Sequence, residues 1–237
     1  MIRQFKRCKP LILNPVKDRN TAHGRMIQYP RAIALYQPMG RLYFSDWGTH
    51  PHIGVMGMDG SDSKILLDNS PPKDGTRRVA PMLGWPNDII IDRLSNDGQF
   101  EGDWSPSPMV YFCDAKFDYI ARTNLEFTEF HKIFVHGKGD AHVFSISLYE
   151  EFIYFADWKN NKRIYRIHKY CDDDSGGKLC TPEAITKTTS DKPMAVVVVS
   201  PRLQPPLPDN PCPANHCADN QLCLLKPNEP KGVQFRV

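Results

Sequence analysis

The chain has 237 residues, 41% of them hydrophobic and 24% charged, which suits a folded protein with a sizeable core in one or two domains. A formal net charge of +3 is too small to argue for nucleic-acid binding, and the basic cluster Arg3-Gln4-Phe5-Lys6-Arg7-Cys8-Lys9 reads as a solvated segment. The longest apolar run, Met194 to Val199, has 6 residues, far short of the ~20 that span a bilayer, so no direct membrane insertion is expected of this segment.

Residues 1–25 lack clear periodicity, although Phe5 and Leu11-Ile12-Leu13 suit one or two strands of an incomplete repeat. From about residue 26 the chain turns into short alternating apolar strands separated by turn signals. The first group predicts strands at Ile33–Leu35, Leu42–Trp47, Ile53–Met58 and Lys64–Leu67, with Gly40 and Asp59-Gly60 as the turns. The second predicts strands at Asp88–Asp92, Tyr111–Ala115, Tyr119–Asn124 and His131–His136. Two loops, 70–75 and 95–108, hold its extra residues. The third predicts strands at Val143–Leu148, Phe152–Trp158, Arg163–Tyr170 and Ala184–Thr188, and a fourth group opens with a strand at Met194–Val199. A stiff Pro-rich connector follows at 201–209, and 210–237 forms a separate cysteine-bearing segment.

One phrase recurs at the same place in each group: Tyr43-Phe44-Ser45-Asp46-Trp47, Tyr111-Phe112-Cys113-Asp114-Ala115 and Tyr154-Phe155-Ala156-Asp157-Trp158. The last two copies lie 43 residues apart. A period near 40 residues built on short aromatic strands predicts an all-β chain of propeller blades, each a four-stranded sheet, with about three to four blades over 26–200. The Tyr and Phe of each copy are expected between stacked blades. The repeated aspartates suit either a metal ring or a structural role, accepting backbone N–H groups from an adjacent blade; the structural role is preferred and no metal or cofactor is expected. Trp47, Trp85 and Trp158 sit where strands meet loops, beside Asn87, His50 and His52. They either anchor a protein ligand at the rim or pack the loops down.

The seven cysteines favour an oxidising compartment, because Cys212, Cys217 and Cys223 crowd into the last residues. Cys171 and Cys180 bracket a Gly-turn hairpin tip, where a local disulfide is sterically reasonable and two free thiols on a mobile loop are the alternative. Partners for Cys8, Cys113 and Cys217 are not evident. No G-x-S-x-G elbow, phosphate loop or H-E-x-x-H motif is present.

The tyrosine-aromatic-small-aspartate phrase resembles the YWTD, or class B, repeat of the low-density lipoprotein receptor family. Other parts resemble it in order: Trp85-Pro86-Asn87-Asp88, Met58-Asp59-Gly60-Ser61, Arg202-Leu203-Gln204-Pro205, and the opening of an EGF-like module at Asn210-Pro211-Cys212, Cys217 and Leu222-Cys223-Leu224. The nearest likeness is to the large lipoprotein receptor-related endocytic receptors. The resemblance implies a non-enzymatic, extracellular part of a membrane-anchored receptor that cycles between the cell surface and endosomes. Its partners would be secreted proteins or lipoproteins and other modules of the parent receptor. It also implies a Cys212–Cys223 pairing, and acid release in which His50, His52, His136 and His142 are the candidate sensors. Six blades of this period exceed what the chain holds, so it reads as a piece of a larger receptor. Phe stands where the family has Trp in all three copies, and Cys113 stands where it has Thr. Two other functions fit less well: a Wnt-type co-receptor propeller, and a metal-dependent propeller hydrolase.

Overall fold

A computed structural model describes residues 27–72, 79–94, 104–135, 142–158, 163–171, 181–187, 192–200, 203, 222–225, 227 and 233–236. It is all-β, with three four-stranded antiparallel sheets in chain order. The first is β1 (Pro30–Tyr36), β2 (Arg41–Asp46), β3 (His52–Gly57) and β4 (Lys64–Leu67). The second is β5 (Pro86–Leu94), β6 (Trp104–Asp114), β7 (Tyr119–Asn124) and β8 (Phe130–Val135). The third is β9 (Val143–Tyr149), β10 (Phe152–Asp157), β11 (Ile164–His168) and β12 (Glu183–Ala184). A separate hairpin pairs β13 (Leu222–Leu225) with β14 (Val233–Arg236). Residues 1–25 lie outside the described residues, as do Cys180, Cys212, Cys217 and His136.

Each sheet is a simple meander, and the turns of the first are short and chemically specified. Gly40 takes a left-handed conformation, φ 58°, between β1 and β2, and Gly60 does so at φ 84° between β3 and β4. In the latter turn Asp59 Oδ1 accepts from the Ser61 N–H at 2.9 Å and from its hydroxyl at 2.6 Å, an Asx-type closure.

The sheets stack face to face, with β1 against β5 and β5 against β9. That stacking is what buries the aromatic pairs. Side chains alternate across a strand, so the Tyr and the Phe of each copy face opposite sides of their own sheet. Tyr43 of the first sheet and Phe112 of the second meet in one core, with Ile53, Val55, Ile89, Ile91 and Val110. Tyr111 of the second and Phe155 of the third meet in the next, with Ile120, Ile133, Ile146 and Ile153. Each such ring contributes about 1.5–3 kcal/mol by leaving water. Burial also pushes the Tyr43 phenol up to about 12. Tyr154, the equivalent residue on the third sheet, is only half-buried, because among the described residues no fourth sheet covers it.

Several predicted boundaries shift. The loop expected at 95–108 is shorter, because Trp104–Pro108 extend β6 and Trp104 pairs with Leu94. The strand expected at Ala184–Thr188 contracts to Glu183–Ala184: Ile185 N still donates to Ile164 O at 3.0 Å, but the ladder ends there. Met194–Val199 does not join a sheet; it runs as extended chain along β9.

Phe44 lies against Gly54, its cross-strand partner in β3, so closely that a Cβ on Gly54 would clash with the ring. Gly54→Ala is expected to cost ~1–3 kcal/mol as the ring is forced from its position. Chemical denaturation should show a lower midpoint with an unchanged slope; an unaltered midpoint would show that the ring moves freely.

Candidate functional site

A meander places the turn between its second and third strands at the same end as the lead-in to its first strand. The end of the motif strand and the residues before β1, β5 and β9 therefore share one face of the array. Backbone bonds tie the two together in all three sheets: Trp47 N to Tyr29 O at 3.2 Å, Ala115 N to Trp85 O at 3.0 Å, and Trp158 N to His142 O at 3.1 Å.

The motif aspartates clasp the same junction. Asp46 accepts from the N–H groups of Gln28 (2.6 Å) and Tyr29 (2.8 Å) on Oδ2, and from Gly48 (2.7 Å) on Oδ1. Asp114 Oδ2 accepts from Gly84 at 2.6 Å and Trp85 at 2.9 Å; its Oδ1 accepts from Lys116 at 2.9 Å and Phe117 at 3.0 Å. Asp157 Oδ1 accepts from His142 N at 2.9 Å. Two carboxylate oxygens on a short stem can serve lead-in and turn at once, which no neutral side chain of that length does as well. These donors belong to the segment entering the same sheet, which corrects the expectation of an adjacent blade. Other side chains make the bonds that cross between blades, among them Asp88, whose Oδ2 accepts from Ile146 N at 2.9 Å, and Tyr43, whose hydroxyl donates to Leu125 O at 3.4 Å. Burial pushes the Asp114 carboxyl up, against the pull of its four N–H partners. Among the described residues no group of three or more His, Cys, Asp or Glu side chains is placed to hold a metal ion.

Five aromatic side chains line this face, in two groups. Trp47 meets Trp85 edge-on at 6.3 Å, and Trp85 meets the His142 ring at 6.4 Å. Trp158 stacks on Phe144 at 3.6 Å and 13°, and its indole N–H donates to Pro193 O at 2.7 Å. The Arg31 guanidinium bridges the row, 4.4 Å from the Trp47 ring and 5.1 Å from Phe144. Of the three predicted tryptophans, Trp158 is thus pinned down by its neighbours, whereas Trp85 presents 43% of its surface to water. Two further exposed aromatics share the face without having been foreseen: Tyr29, in the lead-in to β1, and Phe117, in the β6–β7 turn. Arg31 was also missed; its signal is only its position one residue into β1, matching Asn87 in β5 and Phe144 in β9.

The other predicted residues scatter. Asn87 is 5% exposed and cannot serve as a rim contact; its Oδ1 has no hydrogen-bond partner among the described residues. His52 is likewise buried, with Nδ1 2.9 Å from His50 O and its ring edge-on to Phe44 at 5.9 Å. His50 is exposed, and His136 lies outside the described residues. His142 is the histidine with a charged neighbour on this face: its Nδ1 is 2.8 Å from Asp118 Oδ1. Cys171 is disulfide-bonded and buried rather than at an exposed tip, its Sγ 3.0 Å from Ile133 O as a non-bonded contact. Cys113 is a free, fully buried thiol, and its burial raises it well above the ordinary thiol range.

The architecture thus defines an array of repeated antiparallel blades with a row of aromatic rings across one face. Residues 40–93 match the low-density lipoprotein receptor repeat class B. The chain is 30% identical over 200 residues to the vitellogenin receptor of Solenopsis invicta, covering 84% of this chain and 9% of that protein. It is 31% identical over 140 residues to the human low-density lipoprotein receptor-related protein 5-like protein, covering 59% of this chain and 45% of that one. A nidogen/laminin complex is similar in structure at 22% identity and a TM-score of 0.44, covering 61% of this chain and 45% of that one. Class B repeat sequence of the low-density lipoprotein receptor type is therefore present in the chain, which spans less than half the length of these curated receptor relatives.

Asp114→Asn keeps size and removes one of the two acceptor oxygens that the four N–H groups need. The expected loss is about 2–3 kcal/mol of unfolding free energy, read by urea titration; a loss under ~0.5 kcal/mol would refute the clasp. Cys113 should resist iodoacetamide in the native protein at mildly alkaline pH and react once the chain is denatured, as followed by mass spectrometry of its peptide.

Proposed function

We propose that this chain is a non-enzymatic, extracellular part of an endocytic lipoprotein receptor-related receptor, and that its blades dock secreted protein ligands through the face carrying Trp85. The exposed Trp85 at the centre of the aromatic row carries this reading. Interface energy concentrates in large aromatic and arginine anchors with polar surroundings, and this face offers Trp85, Tyr29, Phe117 and Arg31 with Lys116 and Asp118 beside them. The clasp by three repeated aspartates makes the face rigid, so little ordering entropy is lost on binding. One relative is named as a receptor for vitellogenin, which supports secreted lipoproteins as the ligand class. Release in acidic endosomes is assigned to the His142–Asp118 pair, because histidine is the residue type that gains charge between neutral and endosomal pH. Residues 210–237 are taken as the start of an EGF-like module with Cys212 and Cys223 bridged, in keeping with the β13–β14 hairpin that contains Cys223.

A second reading is a co-receptor whose blades bind a signalling ligand directly. It is favoured by the aromatic face lying on the blades themselves, and by the 31% identity to a human receptor-related protein.

Binding of candidate secreted ligands to the purified chain, measured by surface plasmon resonance at neutral and endosomal pH, tests both. Trp85→Ala should weaken binding by about 30-fold or more, the loss of a central anchor, while the melting temperature stays within about 2 °C. His142→Gln should leave neutral binding intact and reduce the acid-induced rise in off-rate. Lipoprotein binding supports the endocytic reading and signalling-ligand binding the co-receptor reading. Unchanged affinity for Trp85→Ala would remove this face from either.

A further inference from the structure

All three sheets break their register at the same place. The first strand of each carries one extra residue opposite the aspartate end of the motif: Arg31 between Pro30 and Ala32, Asn87 between Pro86 and Asp88, and Phe144 between Val143 and Ser145. A bulge of this kind re-aims one side chain out of the strand's alternation. Asn87 and Phe144 are buried at this position, whereas Arg31 stays exposed. Its guanidinium stands 4.4 Å from the Trp47 ring of its own sheet. It also reaches past the second sheet to the third, 5.1 Å from the Phe144 ring.

Among the described residues no carboxylate forms an ion pair with Arg31. The acids around it are already engaged. Asp46, Asp114 and Asp157 accept the lead-in N–H groups. Asp118 faces His142 at 2.8 Å. Asp88 feels the Arg31 charge from a buried position, and its two oxygens accept from Ile89 N and Ile146 N, each at 2.9 Å. Lys116, exposed in the β6–β7 turn, adds a second positive charge to the same face.

A guanidinium lying on aromatic rings is held by its flat sides and keeps its N–H edge free. That edge is a fork that matches both oxygens of a carboxylate. Resting on the reading that this face docks secreted proteins, we propose that Arg31 anchors a carboxylate side chain of the ligand, an Asp or Glu beside an apolar residue that covers Trp85. Trp47 backs both halves of the contact: it lies 4.4 Å from the guanidinium and 6.3 Å from the Trp85 ring. The ring contacts hold the guanidinium before the ligand arrives, so little side-chain freedom is lost on pairing. A neutral or cationic group at the same spot would cover the guanidinium and leave it unpaired, which is costly.

The probe is phenylacetate, which joins one carboxylate to one aromatic ring; phenylacetamide is its neutral match. In the full chain, the Arg31 Nε–H resonance, identified by its loss in Arg31→Lys, should shift saturably with phenylacetate. Phenylacetamide should bind at least about tenfold more weakly. Arg31→Lys keeps the charge and loses the fork, so phenylacetate, followed there through the Trp85 indole N–H, should also bind about tenfold more weakly. A melting temperature within about 2 °C of the wild-type value shows that the variant is folded. No shift at Arg31, equal binding of phenylacetamide, or undiminished binding to Arg31→Lys would overturn the proposal. Phenyl phosphate binding about tenfold more tightly than phenylacetate would overturn it in favour of a phosphate-bearing ligand. The docking face itself stands or falls separately, on the effect of Trp85→Ala on a secreted ligand, so the two failures are told apart.

Discussion

A four-stranded sheet with an aromatic residue on each side cannot bury both faces alone. Tyr43 and Phe44, Tyr111 and Phe112, and Tyr154 and Phe155 are adjacent pairs, so every motif strand commits its sheet to two neighbours. The chain meets that demand by stacking, with Tyr43 opposite Phe112 and Tyr111 opposite Phe155. The order of the sheets, the apposition of β1, β5 and β9, and the half-burial of Tyr154 at the end of the stack all follow from it.

The stacking also builds the aromatic face. Once the sheets share an axis, equivalent turns align, and a residue repeated at one motif position becomes a row in space. Asp46, Asp114 and Asp157 hold that row in register by charge-assisted bonds to each lead-in, and Asp46 and Asp114 bind the following turn as well. The clasp uses side-chain acceptors on buried backbone donors, so stability and site geometry are one network. Substitutions that disturb a clasp should therefore shift the position of Trp85 as well as lower overall stability.

Much of the fold was legible in the sequence. Period-two alternation located all twelve strands of the three sheets, and Lys64–Leu67 and Tyr119–Asn124 fell where expected to the residue. Errors gathered where hydrogen-bond pairing outweighs pattern. Trp104–Pro108 resembles loop, yet it joins β6 because Trp104 has a cross-strand partner in Leu94. Met194–Val199 resembles strand, yet it joins no sheet because no described neighbour completes its ladder. The site was less legible. Trp85 was identified by type and position, but Asn87, two residues later, turned inward, and Arg31, Tyr29 and Phe117 carried no motif to mark them.

The amino-acid order by itself determined the repeat, the strand type and the identity of the clasping aspartates, because these depend on local periodicity and on chemistry within a few residues. Tertiary structure alone decided which tryptophan stays exposed, which partner each aspartate takes, and that Cys171 lies buried beside Ile133. Those outcomes depend on groups brought together from distant parts of the chain, and strand spacing says nothing of which sheet will cover a given side chain.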